Sequence, residues 1–309
     1  MSKIYDIIII GAGTAGMTAA IYGQRAGKQV LLLEAGMYGG QIINSPKIEN
    51  YPGISEISGY QFAMNLYEQA TALGAELDSG RVTKLERAEE NRYWLVHTEQ
   101  EQYQGRSIII ATGVQNRKLG VPGEEAMIGR GISYCATCDG TFYKDKTVAV
   151  AGGGNTALGS AEYLAGICRQ VYLIHRREQF RGAESMVRRL EQKGNIIWLR
   201  NTEIRELVST SHLERIRVIN VQTGEEQELA VDGVFVAVGK VPDNQIFQGL
   251  IELDAQGYIQ AGEDCHTSKV GIYAAGDCRT KRVRQLTTAA ADGAVAALAA
   301  IESIEESEK

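Results

Sequence analysis

Residues 7–16 read Ile-Ile-Ile-Ile-Gly-Ala-Gly-Thr-Ala-Gly. Four β-branched apolar residues in a row predict a strand buried on both faces. The run ends on Gly11, Gly13 and Gly16, in the spacing GxGxxG. A small-residue helix is predicted over Met17–Ala26, then a second strand over Gln29–Leu33 that ends at Glu34. Gly11 to Glu34 is 23 positions, close to the roughly 20 expected between the first glycine and a ribose-binding acid. The first glycine allows a tight turn, the second lets backbone N–H groups approach a pyrophosphate, and the third packs the helix closely on the strand. Strand, glycines, helix, strand and acid in that order predict a dinucleotide-binding unit.

The same unit recurs. Thr147–Ala151 is a short apolar strand running into Gly152-Gly-Gly154-Asn155-Thr156-Ala157. A helix is predicted through Leu158 to about Ala165, then a strand over Gln170–Ile174 that ends at His175-Arg176-Arg177. Gly152 to His175 is again 23 positions. Where the first unit has an acid, the second has a basic cluster, His175, Arg176, Arg177 and Arg181. An acid takes a ribose 2′-OH; a 2′-phosphate is repelled by it and attracted by arginine. The first site is therefore expected to hold a dinucleotide with an unphosphorylated ribose, as in FAD, and the second to hold NADPH.

Composition narrows the rest. A chain of 309 residues suggests about two domains. Gly is high at 35 and Pro low at 4, which suits many tight strand-to-helix turns. A net charge of -6 offers no basic field to nucleic acid. No apolar run is expected to reach the roughly 18 residues of a membrane span. The N-terminal apolar run ends in glycines and reads as a strand, so a soluble, cytoplasmic protein is expected. Five cysteines are too few for a disulfide scaffold. Two of them form the pair Cys135-Ala-Thr-Cys138, followed by Asp139. A structural zinc normally needs four ligands in two close pairs; the chain has no second CxxC, and its four His are scattered. No metal is expected, and the CxxC reads as a redox pair lying between the two dinucleotide units.

Taken together and in order, these motifs resemble a known family. GAGTAG (11–16), GGQI (39–42), ENYPG (49–53), ATG (111–113), CATCDG (135–140), GGGNTA (152–157), HRREQFR (175–181), GIYAAGDC (271–278) and RQL (284–286) are similar, over the full length, to the low-molecular-weight, bacterial-type thioredoxin reductases. The resemblance implies an α/β fold of two Rossmann-like dinucleotide-binding domains, of a three-layer ββα type, one inserted in the other. The FAD domain would comprise residues 1–114 plus 246–309, and the NADPH domain residues 115–245, with crossovers near Gln115–Lys118 and Lys240–Pro242. It implies an FAD set of Gly11, Gly13, Thr14, Ala15, Gly16, Glu34, Ala35, Gly40, Gln41, Asn50, Val82, Ala111, Thr112, Gly113, Gly276, Asp277, Arg284, Gln285 and Leu286. Within it, Asp277 would bind the ribityl chain. Arg284, Gln285 and Leu286 would approach the isoalloxazine. The NADPH set would be Gly152, Gly154, Asn155, Thr156, Ala157, His175, Arg176, Arg177 and Arg181.

The resemblance also implies the chemistry: hydride from NADPH to FAD, electrons to the Cys135–Cys138 disulfide, then exchange with oxidised thioredoxin. Cys138 would face the flavin, Cys135 would attack the partner disulfide, and Asp139 would be the acid–base catalyst. Relatives rotate the inserted domain between two states and are usually homodimers. Two departures stand out. Leu158-Gly159-Ser160 replaces a usual pair of glutamates after the second fingerprint, and Thr141-Phe142 stands where relatives often carry two aromatics. Arg130 and Phe142 are candidate thioredoxin-docking residues. The lost glutamates keep a ferredoxin-fed enzyme as an alternative, and a flavoprotein redox sensor without turnover is a second. The C-terminal helix, Thr287 to about Ile304, carries Ala290, Ala294, Ala297 and Ala300-Ile301, a spacing that suits a partner surface or the domain core equally. ESIEESEK, at the end, reads as a solvated tail.

Overall fold

The computed structural model describes residues 3–45, 47–88 and 93–307. Strand β1 (Ile4–Ile10) leads through the glycine turn into α1 (Thr14–Arg25) and β2 (Val30–Glu34). Then come α2 (Gly59–Ala72), β3 (Glu76–Ser79), β4 (Val82–Arg87), β5 (Trp94–Thr98) and β6 (Gln102–Ile110). A short crossing strand, β7 (Gln115–Asn116), precedes β8 (Ile132–Ser133) and the single helical turn α3 (Ala136–Asp139). The second glycine unit is β9 (Thr147–Ala151), α4 (Asn155–Ala165) and β10 (Gln170–His175), followed by α5 (Glu184–Glu191) and β11 (Ile196–Arg200). Strands β12 (Thr202–Ser209), β13 (Leu213–Asn220) and β14 (Glu226–Ala230) form an antiparallel sheet before β15 (Gly233–Val236). The return crossing is β16 (Lys240–Val241), and the chain continues to β17 (Ile272–Ala274) and α6 (Leu286–Ser307).

Two compact units result: Met1–Asn44, Ile48–Gln115 and Val241–Lys309 in one, Ser45–Lys47 and Asn116–Lys240 in the other. The crossings pair with each other, β7 with β16. The return crossing falls at Lys240–Val241, inside the Lys240–Pro242 stretch that the resemblance implied for it, so the last segment of the first unit begins at Val241 rather than at 246.

Both units use one strand order. In the first, β3-β2-β1-β6 continues to β17, with the β5–β4 hairpin leaving the other end of β6. In the second, the order is β11-β10-β9-β15-β8, all parallel. Alternation along β1 explains the layers. Ile7 and Ile9 face the cluster built on α1 and α6; Ile8 and Ile10 face the cluster holding Trp94 and Val96. Likewise Val148 and Val150 pack with Leu158 and Leu164 of α4, while Ala149 and Ala151 face the β12–β14 sheet. Each unit is thus helix, parallel sheet and antiparallel strands in three layers, as the resemblance implied.

Both fingerprint helices start earlier than the hydrophobic pattern suggested, at Thr14 rather than Met17 and at Asn155 rather than Leu158. Gly13 and Gly154 are the N-caps, and the first turns, Thr14-Ala15-Gly16 and Asn155-Thr156, are made of small or polar residues that carry no large apolar side chain to mark the helix in the hydrophobic pattern. The C-terminal helix continues to Ser307, past Ile304 and through most of the expected tail; Glu308 and Lys309 lie outside the described residues. Among the described residues α6 is also long and apolar enough, by length and composition, to cross a membrane, which corrects the expectation that no such stretch exists. Its Ala297, Ala300 and Ile301 pack instead in the core cluster of α1. Gly293 lies so close to α1 that a Cβ there would run into the Ala15 carbonyl. Core packing thus accounts for Ala297 and Ala300, while Ala290 and Ala294 are only partly buried. The outward apolar residues are Ala291, Val295 and Leu298.

Candidate functional site

In the first unit the glycine turn makes an open cradle at the start of α1. Gly11 sits at φ 107°, and a Cβ there would collide with the Ala111 carbonyl; one on Gly16 would collide with Gly11 itself. Those two glycines are required by packing. Gly13 is different: nothing lies within 4 Å of where its Cβ would be. As N-cap it gives α1 no side-chain hydrogen bond, so the first-turn N–H groups of Thr14, Ala15 and Gly16 face that opening as an anion site. Glu34 ends β2, with one carboxylate oxygen accepting from Ala12 N–H at 2.8 Å and the other from Gly36 N–H at 2.9 Å. Each oxygen keeps a lone pair for a ribose hydroxyl. Ala35 is exposed beside it. Gly40, at φ 66°, brings its loop against Gly13.

The rest of the set converges from three segments. The Gln41 amide donates to the Val114 carbonyl, and Asn50 Nδ2 reaches Gln285 Oε1 at 3.4 Å. Thr112, between Ala111 and Gly113, donates its hydroxyl to Asn244 Oδ1 at 3.1 Å. Asn244, fully buried, donates in turn to the carbonyls of Gly257 and Cys278, both at 2.9 Å. This asparagine, unremarked in the sequence, ties the 111–113 turn to the Gly276-Asp277-Cys278 turn. Arg284 lies over the Tyr258 ring at 4.2 Å and donates to the Asp277 carbonyl at 3.3 Å. Leu286 opens α6. Val82 stands apart: its side chain is buried in the core, so it can offer a ligand only backbone.

The second unit repeats the cradle. A Cβ on Gly152 would strike the Ala237 carbonyl, whereas Gly154 opens onto free space and caps α4 without a side-chain bond. Ala157, buried, fills the place of the third glycine. Asn155 accepts from Ala183 N–H at 2.7 Å, and Gly153 O accepts from Arg181 N–H at 2.7 Å, which staples the 181–183 loop over the turn. Thr156 is exposed on the first turn of α4. Arg176, Arg177 and Arg181 are exposed, and none is in an ion pair among the described residues. His175 does not belong with them. Its ring is buried beneath Gly153, where a Cβ would run into it, and stacks near Phe180. Burial, with the nearby arginines, holds its pKa below the usual value against a backbone hydrogen bond at Gln179; the basic cluster is the three arginines. At the departure from the glutamates, Gly159 has room: an added Cβ would meet Met186 at 3.7 Å.

Cys135 and Cys138 are joined as a disulfide, with Cα atoms 5.3 Å apart, across α3. Both are partly exposed. Ser133, buried at the end of β8, accepts the Cys135 N–H at 3.1 Å and donates to Asp139 Oδ2 at 2.7 Å. Asp139 Oδ1 is buried with no partner. Burial raises the Asp139 pKa and the Ser133 bond opposes it, the condition of a carboxyl that can exchange a proton nearer neutral pH. Phe142 is exposed next to this turn, as is Arg130 before it. Among the described residues no cluster of His, Cys, Asp or Glu could hold a metal ion. The disulfide, its neighbouring carboxyl raised by burial and an open glycine cradle lie within the second unit, and a like cradle lies within the first.

Known proteins are similar to this chain over nearly its whole length. The profile of the pyridine nucleotide-disulphide oxidoreductases matches residues 5–293. The chain is 39% identical over 305 residues to a thioredoxin reductase of Bacillus subtilis (strain 168), covering 98% of this chain and 96% of that one. It is 40% identical over 307 residues to a thioredoxin reductase of Listeria innocua, covering 98% and 95%. The crystal structure of thioredoxin reductase from Streptococcus pyogenes MGAS5005 superposes with a TM-score of 0.91 at 38% identity, over 99% of this chain and 100% of that one.

Proposed function

Since this chain belongs to the pyridine nucleotide-disulphide oxidoreductase family, where it falls among the thioredoxin reductases, we propose that its hydride donor is NADPH, its flavin FAD and its acceptor the disulfide of a thioredoxin. The observation that carries this reading is the Cys135–Cys138 disulfide, set in one unit with an open glycine cradle and three free arginines.

The residues divide the work as follows. Gly13, Thr14 and Glu34 would hold the pyrophosphate and ribose of FAD, and the turns at Thr112 and Asp277 would hold its flavin half. Gly154, Asn155 and Thr156 would receive the NADPH pyrophosphate at the start of α4. Arg176, Arg177 and Arg181 would take the 2′-phosphate, because planar guanidinium groups pair with phosphate oxygens in two-pronged fashion. The flavin, when bound, supplies the two-electron link between a nicotinamide and a disulfide. Asp139 would protonate the thiolate released when the disulfide opens. The Cys135 thiolate would then attack the thioredoxin disulfide, and Cys138 would resolve the mixed disulfide to restore the pair.

The outward face of α6, with Val295 and Leu298 exposed at 37% and 48%, supports a homodimer contact. The reducing cytoplasm is the compartment that suits a recycled dithiol.

The test is anaerobic. Stoichiometric NADPH bleaches the flavin band of the purified protein, NADH does so far more slowly, and added oxidised thioredoxin restores the band. Bleaching by dithionite alone, with neither nucleotide effective, moves the donor to a ferredoxin.

A further inference from the structure

Ser133 carries no motif, yet its hydroxyl touches both ends of the redox turn. It lies on β8, opposite Phe235 of β15, and is 5% exposed. Its oxygen accepts the Cys135 N–H at 3.1 Å, and its one hydrogen goes to Asp139 Oδ2 at 2.7 Å; the Cys135 carbonyl, at 3.4 Å, is the longer alternative. A hydroxyl has one hydrogen to give, so the short contact to the carboxylate takes it. The other carboxylate oxygen, Oδ1, is buried and unpartnered.

We infer that Ser133 is a positioning residue for disulfide reduction: by occupying Oδ2 it makes Oδ1 the oxygen of Asp139 that carries and releases the proton. The inference rests on the reading of Asp139 as the acid. In the step, the Oδ1–H bond breaks and its electron pair stays on the carboxylate. An S–H bond forms on the thiolate freed from the opened Cys135–Cys138 disulfide. One proton moves and no electrons. The resulting carboxylate is met at once by the Ser133 hydroxyl, and the same hydroxyl fixes the Cys135 backbone, so acid and sulfur stay in register.

The surroundings leave this control to Ser133. Tyr143, in the turn after α3, is the titratable side chain on which the Asp139 charge acts. Tyr163 and Leu164 of α4 pack over Gly140. No cation pairs with Asp139 among the described residues. Burial pushes its carboxyl up, and the Ser133 bond is the one opposing cause.

The test uses the full-length, flavin-loaded, disulfide-oxidised protein with 13C-labelled aspartate carboxyls. The Asp139 resonance is assigned by its loss in Asp139→Asn and titrated by NMR. Ser133→Thr keeps the hydroxyl and Ser133→Val removes it at equal volume, both being residues a strand accepts. Ser133→Ala is a second hydroxyl-free variant should the valine not fold. Losing a hydrogen bond to a charged group should raise the titration midpoint in Ser133→Val by roughly one to two pH units, and the threonine variant should stay with wild type. The alkaline limb of thioredoxin turnover should move up by the same amount. An unmoved midpoint in both hydroxyl-free variants overturns the assignment of Ser133. A moved midpoint with unimpaired turnover by Asp139→Asn overturns the reading of Asp139 instead, and the proposal with it.

Discussion

The guanidinium of Arg279 grips the carboxylate of Asp292 with two bonds, Nε to Oδ2 and Nη2 to Oδ1, each 2.8 Å long, and both side chains are buried. Lys281 Nζ and the Gly276 N–H reach the same Oδ2, again at 2.8 Å. Asp292 lies in α6, and the three donors lie on the turn that carries Asp277. One carboxylate therefore locks that turn to the helix, and all its bonds lie within the first unit.

Removing one partner of such a pair strands a buried charge, at a cost of about 3–5 kcal/mol. Asp292→Ala should lose stability on that scale in urea unfolding, and should retain less flavin. Burial pushes the Asp292 carboxyl up, but the bonds from Arg279, Lys281 and Gly276 hold it below the usual carboxylate range. A depressed folded pKa contributes stability that is present above the unfolded value, about 3.9, and lost as pH falls through the folded one. The deficit of Asp292→Asn should thus be complete at neutral pH and shrink in acid below about pH 4. A deficit independent of pH would mean that the charge is not what matters.

Arg176 and Arg177 are exposed and unpaired, so replacing them should touch nucleotide choice and little else. A charge-assisted phosphate contact is worth about 1.5–3 kcal/mol. The Arg176→Ala, Arg177→Ala double variant, losing two such contacts, should raise the KM for NADPH roughly 10²–10⁴-fold with kcat kept and the KM for NADH unchanged. Steady-state kinetics at low and high salt checks this, since the difference should narrow as salt screens it.

The glycines of the two turns should separate the two sites. A Cβ on Gly153 would run into the buried His175 ring, and one on Gly11 into the Ala111 carbonyl at a positive φ. Gly153→Ala should weaken nucleotide binding while the protein keeps its flavin; Gly11→Ala should lose the flavin. Flavin content by absorbance and nucleotide affinity by calorimetry read the two effects independently.

Burial pushes the thiols of Cys168 and Cys278 up to about 11 and that of Cys265 to about 12. At pH 8 their thiolate fractions are about one in a thousand or less. Alkylation of the folded, reduced protein should add two groups, at Cys135 and Cys138, by mass spectrometry. Rapid modification of a third cysteine would show that one of these sites opens.

Much of the fold was legible because its signals are local. Ile7–Ile10 followed by Gly11, Gly13 and Gly16 marks a turn that other residues cannot make, and the reappearance of that pattern at Gly152 announced a second unit of the same design. The helix starts were misjudged for an equally local reason, since Thr14 and Asn155 open helices whose first turns are small or polar residues without a large apolar side chain to signal them. His175 looked basic by position, but its ring fills the space under a glycine, a fact about shape rather than about spacing.

The amino-acid sequence by itself determined the two glycine cradles, the redox pair Cys135–Cys138 and the exposed arginines after β10, because each is written in residues a few positions apart. Only the tertiary structure decided the partners of those groups: Asn244 joining Thr112 to Cys278, Asp292 gathering Arg279, Lys281 and Gly276, and Ser133 holding Asp139. Buried polar atoms must find a partner, and which one they find depends on how distant strands and turns come together in space.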